Sequence, residues 1–513
     1  MAARLRALGV PFVGFERLDD VGGTWHPSRL YPGLKLHTPA YGAEFEGFPY
    51  RTSGQSHDAQ DERPSGQSIH SYIRHFADHH DLLRSFSFSS TVRGIAYSTR
   101  DHTATVTVER SDTPRQEGSA QPAGGVGEEG PFDLVVFAST AARPIMPSIP
   151  GASAFRGHSC HASAVGPSLL ARIASERRHV VVVGAGRSAC DIVLALLDAG
   201  VAPGQLTWLV RRPYLFFKLE RCWHRCCNAA RHSALRRAAS RLRSVGALAA
   251  VWLSIMLPRL GWRLMWALDY VYSPQLSASE ADDEARKWAP PPFQMGMLDA
   301  EQRRTLSSAV QQRRGEVHSL DAGGLLLCDG ERIDTEVIIW ATGYESGACE
   351  LLLQRDGGTP STLPSDTPLF EHMLPVSFPA LAVLSHFVTA PGPAAAREAA
   401  EYIVYHLCVR PPLSEVTLVR EASVQACRPP VSRALLFAPG FWHNLLLVQF
   451  DLINAGIVPV HVGYWRLINL WVLNRVPQLN FGLLPPWPPL EMRPSGSGLG
   501  EGADETGALL AEP

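Results

Sequence analysis

The chain has 513 residues, 45% of them hydrophobic and 19% charged, and its net charge is −2. That length exceeds what one hydrophobic core accommodates and predicts two or three domains, while the composition excludes a disordered or fibrous chain. A near-neutral balance leaves no global field to recruit nucleic acid or an anionic membrane, so neither is expected as a partner on grounds of charge.

Residues 1–17 read as the end of a helix, a stop at Gly9, and a strand over 11–15 that closes on Glu16 and Arg17. A carboxylate at such a strand end is where a dinucleotide fold grips an adenosine ribose. The strand and glycine turn that come before such a helix are not in this sequence, so the chain is expected to open part-way through a motif. From Ser68 onward, Ile69, Tyr72, Ile73, Phe76 and Leu82 recur at helical spacing, and short alternating strands follow over 86–97 and 104–108. The tract 111–130 is polar and rich in Gly, Pro and Glu, which predicts a mobile loop. An apolar run at 133–138 predicts a buried strand, and 143–151 an extended crossing segment.

Val180 to Val183 predict a buried strand that runs through Gly184, Ala185 and Gly186 into a helix opening Arg187, Ser188, Ala189, Cys190, Asp191. A strand, turn and helix in this order leave backbone N–H groups and a helix N-terminus aimed at whatever lies over the turn, which suits a pyrophosphate. Gly184 allows the tight turn, Gly186 lets phosphates approach the main chain, and Ala189 takes the third small position, where helix packs on strand. The next strand, 205–210, lacks the carboxylate that would hold a free ribose 2′-hydroxyl and ends instead in Arg211 and Arg212. With Arg187, these guanidinium groups match a 2′-phosphate in charge and fork geometry, so NADP is favoured over NAD. An ordinary α/β turn flanked by surface arginines is the plainer alternative.

Nine cysteines lie scattered without a regular framework and no secretory signal opens the sequence, which predicts an intracellular, reducing setting, cytoplasmic or at the endoplasmic reticulum surface. Cys222, His224, Cys226 and Cys227 have the wrong spacing for a zinc knuckle, so no metal is expected. The stretch 245–272 is the most apolar in the chain, yet its uncharged part falls short of the ~20 residues that span a bilayer and is broken by Pro258. A buried or partner-covered helix and a peripheral membrane-surface helix both fit it, and the aromatic-rich region 441–473 invites the same two readings. Residues 337–344 return to a buried strand closing on a small-residue turn at Ala341, Thr342 and Gly343. Its echo of 137–140 predicts that the two strands share one sheet, interrupted by an inserted domain. From about residue 492, Gly, Ser, Glu and Ala predict a disordered tail.

Four ordered segments carry a resemblance: Val21 to Trp25; Tyr31 to Pro39, containing His37 and Thr38; Phe155 to His161, an FxGxxxH pattern; and Ala341 to Tyr344, an ATGY pattern. Together they resemble the flavin-containing monooxygenases, the group B flavoprotein monooxygenases. The likeness runs from the first residues to about Leu407, with Arg397 to Tyr402 where the family carries its closing helix. It departs at Val165, where the family has an aromatic residue, and at His37, where many members have Asn and some plant-type branches have His. It departs most in the first glycine motif, which this sequence lacks.

The resemblance implies an α/β fold of two Rossmann-like dinucleotide-binding domains, with the NADP domain inserted into the FAD domain. Residues 1–165 and 334–490 would form the two parts of the FAD-binding domain, 166–333 the NADP-binding domain with a helical insertion, and 491–513 the tail. Glu16 is implied at the FAD ribose, Gly22, Gly23, Thr24 and Trp25 along its diphosphate and ring, and His37 and Thr38 near the reacting edge. NADP would be held by Gly184, Ala185, Gly186, Arg187, Ser188, Ala189, Arg211 and Arg212, with Ala341, Thr342 and Gly343 beside the flavin. The implied reaction has NADPH reduce the flavin, dioxygen add to it as a C4a-hydroperoxide, and one oxygen pass to a soft small-molecule nucleophile, an amine nitrogen or a sulfide. Baeyer-Villiger ketone oxidation and an NADP-binding homologue weak in flavin and in catalysis are the alternatives. His161 is expected to fix the linker by hydrogen bonding, not to do acid-base work. A disulfide reductase would need a close redox cysteine pair, which the sequence does not offer.

Overall fold

The structure is a computed structural model that describes residues 1–36, 44–45, 48, 50, 63–111, 125–138, 142–212, 216–218, 271–272, 296–346, 351–363, 369–370, 374–375, 377–384, 400 and 403. Its centre is a five-stranded sheet built from β1 (His158–His161), β2 (Val180–Val183), β3 (Leu206–Val210), β4 (Gln311–Arg314) and β5 (Val337–Trp340). The order across the sheet is β4-β3-β2-β5-β1, and every neighbouring pair is parallel. Parallel strands need crossovers that cover the faces, so the inner strands read as unbroken apolar runs. Val180, Val181 and Val182 of β2 and Ile338 and Ile339 of β5 are accordingly sealed from solvent.

One face packs helices α1 (Pro167–Ser175), α2 (Arg187–Asp198) and α3 (Ala300–Ser308), whose Ile173, Ile192, Leu196 and Leu306 share a core with Val180, Val182 and Trp208. Each helix start is legible: Pro167 at the first turn of α1, Gly186 ahead of α2, and a capping box at α3 in which Asp299 accepts from the Gln302 amide at 2.8 Å. The opposite face carries a three-stranded antiparallel sheet, Val317–Leu320, Gly324–Leu327 and Arg332–Asp334, whose Leu320, Leu325 and Leu327 pack on Val181, Leu209, Ile338 and Trp340. Burying each such aliphatic side chain is worth roughly 1.5–3 kcal/mol, which makes this three-layer unit a principal source of stability.

A second unit is a mixed sheet of Ser361–Thr362, Leu352–Arg355, Ser90–Ser98, Thr103–Arg110 and Gly125–Phe132. Ile95, Tyr97, Val106, Val108, Leu353 and Leu381 form its core. Two short parallel pairs, Gly14–Phe15 with Phe86–Ser87 and Val135–Phe137 with Leu381–Val383, lay Phe15, Val135 and Phe137 against that core. Helix Gly66–His79, capped by Ser65 through the Ser68 amide at 3.2 Å, buries Ile69 and Tyr72 with Phe48 and Tyr50.

Two expectations are corrected. The polar tract 111–130 is not all loop: Gly125–Phe132 is a strand on the edge of the mixed sheet, paired with Thr103–Arg110. Ladder bonds are made by main chain, and an edge strand tolerates the exposed, charged side chains that made this stretch look unstructured. The echo between 137–140 and 340–343 does not reflect a shared sheet either. Val135–Phe137 pairs with Leu381–Val383, while β5 lies between β2 and β1, where both of its faces are covered. An apolar strand running into a small-residue turn is common to both units, and the motif alone does not report which sheet it joins.

Candidate functional site

The strand order reverses at β2: the chain leaves it toward β3 and β4 on one side, while β5 and β1 lie on the other. In open α/β sheets ligands bind outside the carboxyl ends of the strands at such a point. Here those ends are Gly184–Gly186 after β2 and Ala341–Gly343 after β5. Gly184 has φ +137°, a conformation open to glycine, and a Cβ there would stand 2.3 Å from the Ala341 carbonyl oxygen. The turn is held from three sides. The Gly184 amide donates to the Leu209 carbonyl at 3.0 Å, the buried Trp208 indole donates to the Gly184 carbonyl at 2.7 Å, and the Ala341 amide donates to the Val183 carbonyl at 2.8 Å. Gly186 then starts α2 without a side-chain cap, and the Cys190 amide makes the helical bond to the Gly186 carbonyl at 3.2 Å. The amides of Ser188 and Ala189 precede it and have no acceptor within the helix, so the helix N-terminus presents donors and a partial positive charge. With no Cβ room at Gly184 and donors beyond Gly186, this cradle fits a dinucleotide pyrophosphate.

The β5 turn is locked as firmly. The Thr342 hydroxyl donates to the Ile145 carbonyl at 2.5 Å, and the Ile145 amide donates to the Gly343 carbonyl at 3.0 Å. His161, at the end of β1, places Nε2 3.1 Å from that same carbonyl while its Nδ1 accepts from the Ser163 amide at 3.1 Å. This pairing assigns the proton to Nε2, and burial lowers the imidazole pKa, which keeps the ring neutral. The Tyr344 ring stands edge-on to His161 with centroids 5.0 Å apart. His161 thus joins the FxGxxxH segment to the ATGY turn as a hydrogen-bond donor.

The three arginines expected at the 2′-phosphate are divided. Arg211 and Arg212 lie exposed past the end of β3, and Arg211 Nη1 meets Glu316 Oε1 at 3.0 Å in a solvent-screened pair that an incoming phosphate could displace. Arg187 instead turns inward. Its side chain is 6% exposed, its Nη2 is 2.8 Å from Asp191 Oδ1, and its Nη1 donates to Gln302 Oε1 at 3.3 Å.

On the other side, Glu16 ends the Gly14–Phe15 strand half-buried, and its Oε1 accepts from the Leu18 amide at 2.9 Å. Gly22, with φ +123°, and Gly23, with φ +54°, make a turn in which nothing lies within 4 Å of a Cβ built on Gly23. Thr24 is exposed, whereas Trp25 packs against the Phe48, Tyr50, Ile69 and Tyr72 core. A free carboxylate edge at Glu16 and an open turn at Gly23 fit a ribose and its phosphates. His37 and Thr38 lie outside the described residues, as do 222–227, 245–270, most of Arg397 to Tyr402, 441–473 and the tail.

His26, which the sequence reading passed over, is the anchor of the Gly22–Gly23 turn. It is buried, its Nε2 meets Asp19 Oδ1 at 2.9 Å, and its Nδ1 accepts from the Ser28 amide at 3.3 Å. Beside it, Asp20 accepts from Arg74 at 2.7 Å and thereby ties the turn to helix Gly66–His79. The signal available in sequence was a histidine two residues ahead of a serine after a proline, a weak N-cap pattern.

Residues 57–222 match the family model described as L-lysine 6-monooxygenase/L-ornithine 5-monooxygenase. An FAD-dependent monooxygenase of Pyrenophora dematioidea is 29% identical over 195 residues, which cover 38% of this chain and 33% of that protein. Cyclohexanone 1,2-monooxygenase of Acinetobacter sp is 25% identical over 188 residues, 36% of this chain and 30% of that one. Over these segments the chain is similar to FAD-dependent monooxygenases. The matched segment spans about a third of the length of these relatives. Among solved structures of flavin monooxygenases, oxidized steroid monooxygenase bound to NADP superposes with a TM-score of 0.61 at 16% identity, covering 88% of this chain and 95% of that one. Polycyclic ketone monooxygenase of Thermothelomyces thermophila gives 0.59 at 16% identity, covering 88% and 86%. At these identities the likeness is one of fold: the two-domain, Rossmann-like architecture of flavin monooxygenases. Among the described residues, no helix is long and apolar enough to cross a membrane, and no group of three or more His, Cys, Asp or Glu is placed to hold a metal ion.

Proposed function

We propose that this chain is an FAD- and NADPH-dependent monooxygenase that transfers one oxygen atom of dioxygen to a soft small-molecule nucleophile, an amine nitrogen or a sulfide. The observation that carries the reading is the glycine cradle at Gly184–Gly186, faced by the Ala341–Gly343 turn at the point where strand order reverses. Bound FAD would supply oxygen activation and bound NADPH the hydride; the chain supplies binding, orientation and exclusion of water.

In this reading the Gly184, Ala185 and Gly186 turn and the first amides of α2, at Arg187, Ser188 and Ala189, hold the NADP pyrophosphate, and Arg211 and Arg212 hold its 2′-phosphate. Glu16 accepts from the FAD ribose, Gly22, Gly23, Thr24 and Trp25 border its phosphates, and Ala341, Thr342 and Gly343 approach the flavin. His37 and Thr38 take the place near the reacting edge that the resemblance gives them. The NADP unit covers 166–333, with β1 and β5 flanking that range and completing its sheet, and the FAD unit takes 1–165 and 334–490.

Ketone oxygenation is the second reading, favoured by the identity to cyclohexanone 1,2-monooxygenase. One experiment addresses both: incubate the purified chain with FAD, remove excess, record the visible spectrum, and follow NADPH oxidation in air with an amine, a sulfide and a cyclic ketone. Flavin absorbance at about one equivalent and turnover with the amine or sulfide are expected. A colourless protein ends the oxygenase reading, and turnover confined to the ketone replaces the first reading by the second.

A further inference from the structure

A buried polar chain joins the two halves of the proposed site. Asp191, one helical turn into α2, is 1% exposed at its side chain; its Oδ2 accepts from the Tyr31 hydroxyl at 3.0 Å, and its Oδ1 lies 2.8 Å from Arg187 Nη2 in an ion pair. Gln302 Oε1 then accepts from both Arg187, at 3.3 Å, and Arg63, at 3.1 Å, and Arg63 pairs with Asp299, the cap of α3. Burial pushes the Asp191 pKa up, and the guanidinium groups of Arg187 and Arg63 oppose that rise.

Tyr31 opens the segment that leads to His37. That segment is clamped along its length: the Leu34 amide donates to the Tyr31 carbonyl at 3.1 Å, the Leu36 amide to the Pro64 carbonyl at 2.9 Å, and the Gly66 amide to the Leu34 carbonyl at 3.0 Å. Gly33, with φ +79°, leaves the Asp191 carbonyl only 3.8 Å from where its Cβ would be. So Tyr31 and Gly33 lie directly on α2, the helix whose first turn forms the nucleotide cradle, and the Tyr31 hydroxyl, which meets both Asp191 and Ser188, ties the segment to that helix. A misplacement of about 1 Å between reacting partners can cost 10²-fold in rate, so a contact that helps to fix such a distance is worth more than its own hydrogen bond.

We propose that Tyr31 and Asp191 are positioning residues that register the 31–36 segment, and through it the flavin side of the site, against the nicotinamide-binding helix α2. The inference rests on the monooxygenase reading above, and its test separates the two. Tyr31→Phe removes one oxygen atom and leaves the Asp191–Arg187 pair in place; Asp191→Asn is the stronger variant but strands a buried guanidinium. In the wild-type chain NADP+ is expected to slow amide hydrogen exchange at Leu34 and Leu36, and in Tyr31→Phe that slowing should be lost while the NADP+ dissociation constant stays within about threefold. With FAD bound, anaerobic stopped-flow reduction by saturating NADPH is about 10- to 100-fold slower in Tyr31→Phe than in wild type. Unchanged exchange coupling in Tyr31→Phe overturns the inference, as does a fall in reduction rate matched by an equal loss of NADP+ affinity. If the wild-type chain takes up no flavin, the monooxygenase reading fails, and the exchange comparison alone then upholds or overturns the link between Tyr31 and α2.

Discussion

Replacing Gly184 by alanine puts the proposed cradle to its most direct test. The residue sits at φ +137°, where a side chain costs about 1–3 kcal/mol in backbone strain. The new methyl would also stand 2.3 Å from the Ala341 carbonyl oxygen, a backbone atom in a neighbouring strand end that cannot rotate away. Relief requires β2 and β5 to separate at their carboxyl ends, which strains the 2.8 Å bond from the Ala341 amide to the Val183 carbonyl. Overpacking of this kind costs about 1–3 kcal/mol, so the two effects together predict a loss of about 2–6 kcal/mol. Urea unfolding followed by tryptophan fluorescence reads the stability. Gly204→Ala, whose Cβ has nothing within 4 Å, serves as the neutral control, expected within about 0.5 kcal/mol of wild type. Titration with NADP+ reads the site, and Gly184→Ala should weaken it at least tenfold because the added methyl also displaces the turn. A Gly184→Ala chain as stable as the control, binding NADP+ as tightly as wild type, would refute both the packing argument and the placement of the nucleotide.

Replacing Arg211 and Arg212 together by alanine should raise KM for NADPH about tenfold or more while changing KM for NADH less than about threefold; equal effects on both cofactors would remove these residues from the 2′-phosphate. Burial lowers the His161 pKa from its ordinary 6.5, so between that value and the folded one the unfolded chain binds more protons and stability falls as pH drops. His161→Gln keeps a donor for the Gly343 carbonyl and does not titrate, so the pH dependence of the unfolding midpoint below pH 6.5 should flatten by up to one proton; His80 and His179, lowered in the same way, retain the remainder. An unaltered slope would show that His161 is not buried neutral. Trp208→Phe removes the 2.7 Å bond to the Gly184 carbonyl and leaves a void in a fully buried position, which predicts a loss of about 2–3 kcal/mol in urea unfolding; a loss under about 0.5 kcal/mol would contradict that packing.

What could be read from sequence was local. A valine run, two glycines at the right offset and a small residue three positions on announce a strand, a turn and a helix, because each constraint acts within a few residues. The partner across the turn could not be read, since the Ala341 carbonyl that fixes the need for Gly184 comes from a strand more than 150 residues away whose place in the sheet depends on topology. The inward turn of Arg187 was signalled by Asp191 four residues on, a spacing that brings side chains together on one helix face. Reading the arginine with Arg211 and Arg212 by charge alone missed that nearer acceptor. The strand Gly125–Phe132 was hidden for the opposite reason: its side chains report exposure, and its structure comes from main-chain pairing.

Four segments scattered along the chain form one physical object at the switch point. His161 donates to the Gly343 carbonyl, Ile145 donates to the same carbonyl and accepts from Thr342, and Ala341 donates to Val183. The β5 turn is therefore fixed by the crossing segment on one side and by β2 on the other, and its Ala341 carbonyl is the surface that excludes a side chain at Gly184. A change at His161 or Ile145 should consequently be felt at the nucleotide turn although neither residue lies in it. The route is short, and its links from Ile145 to Gly343 and from Ala341 to Val183 are backbone contacts, which transmit displacement because no rotamer can absorb it.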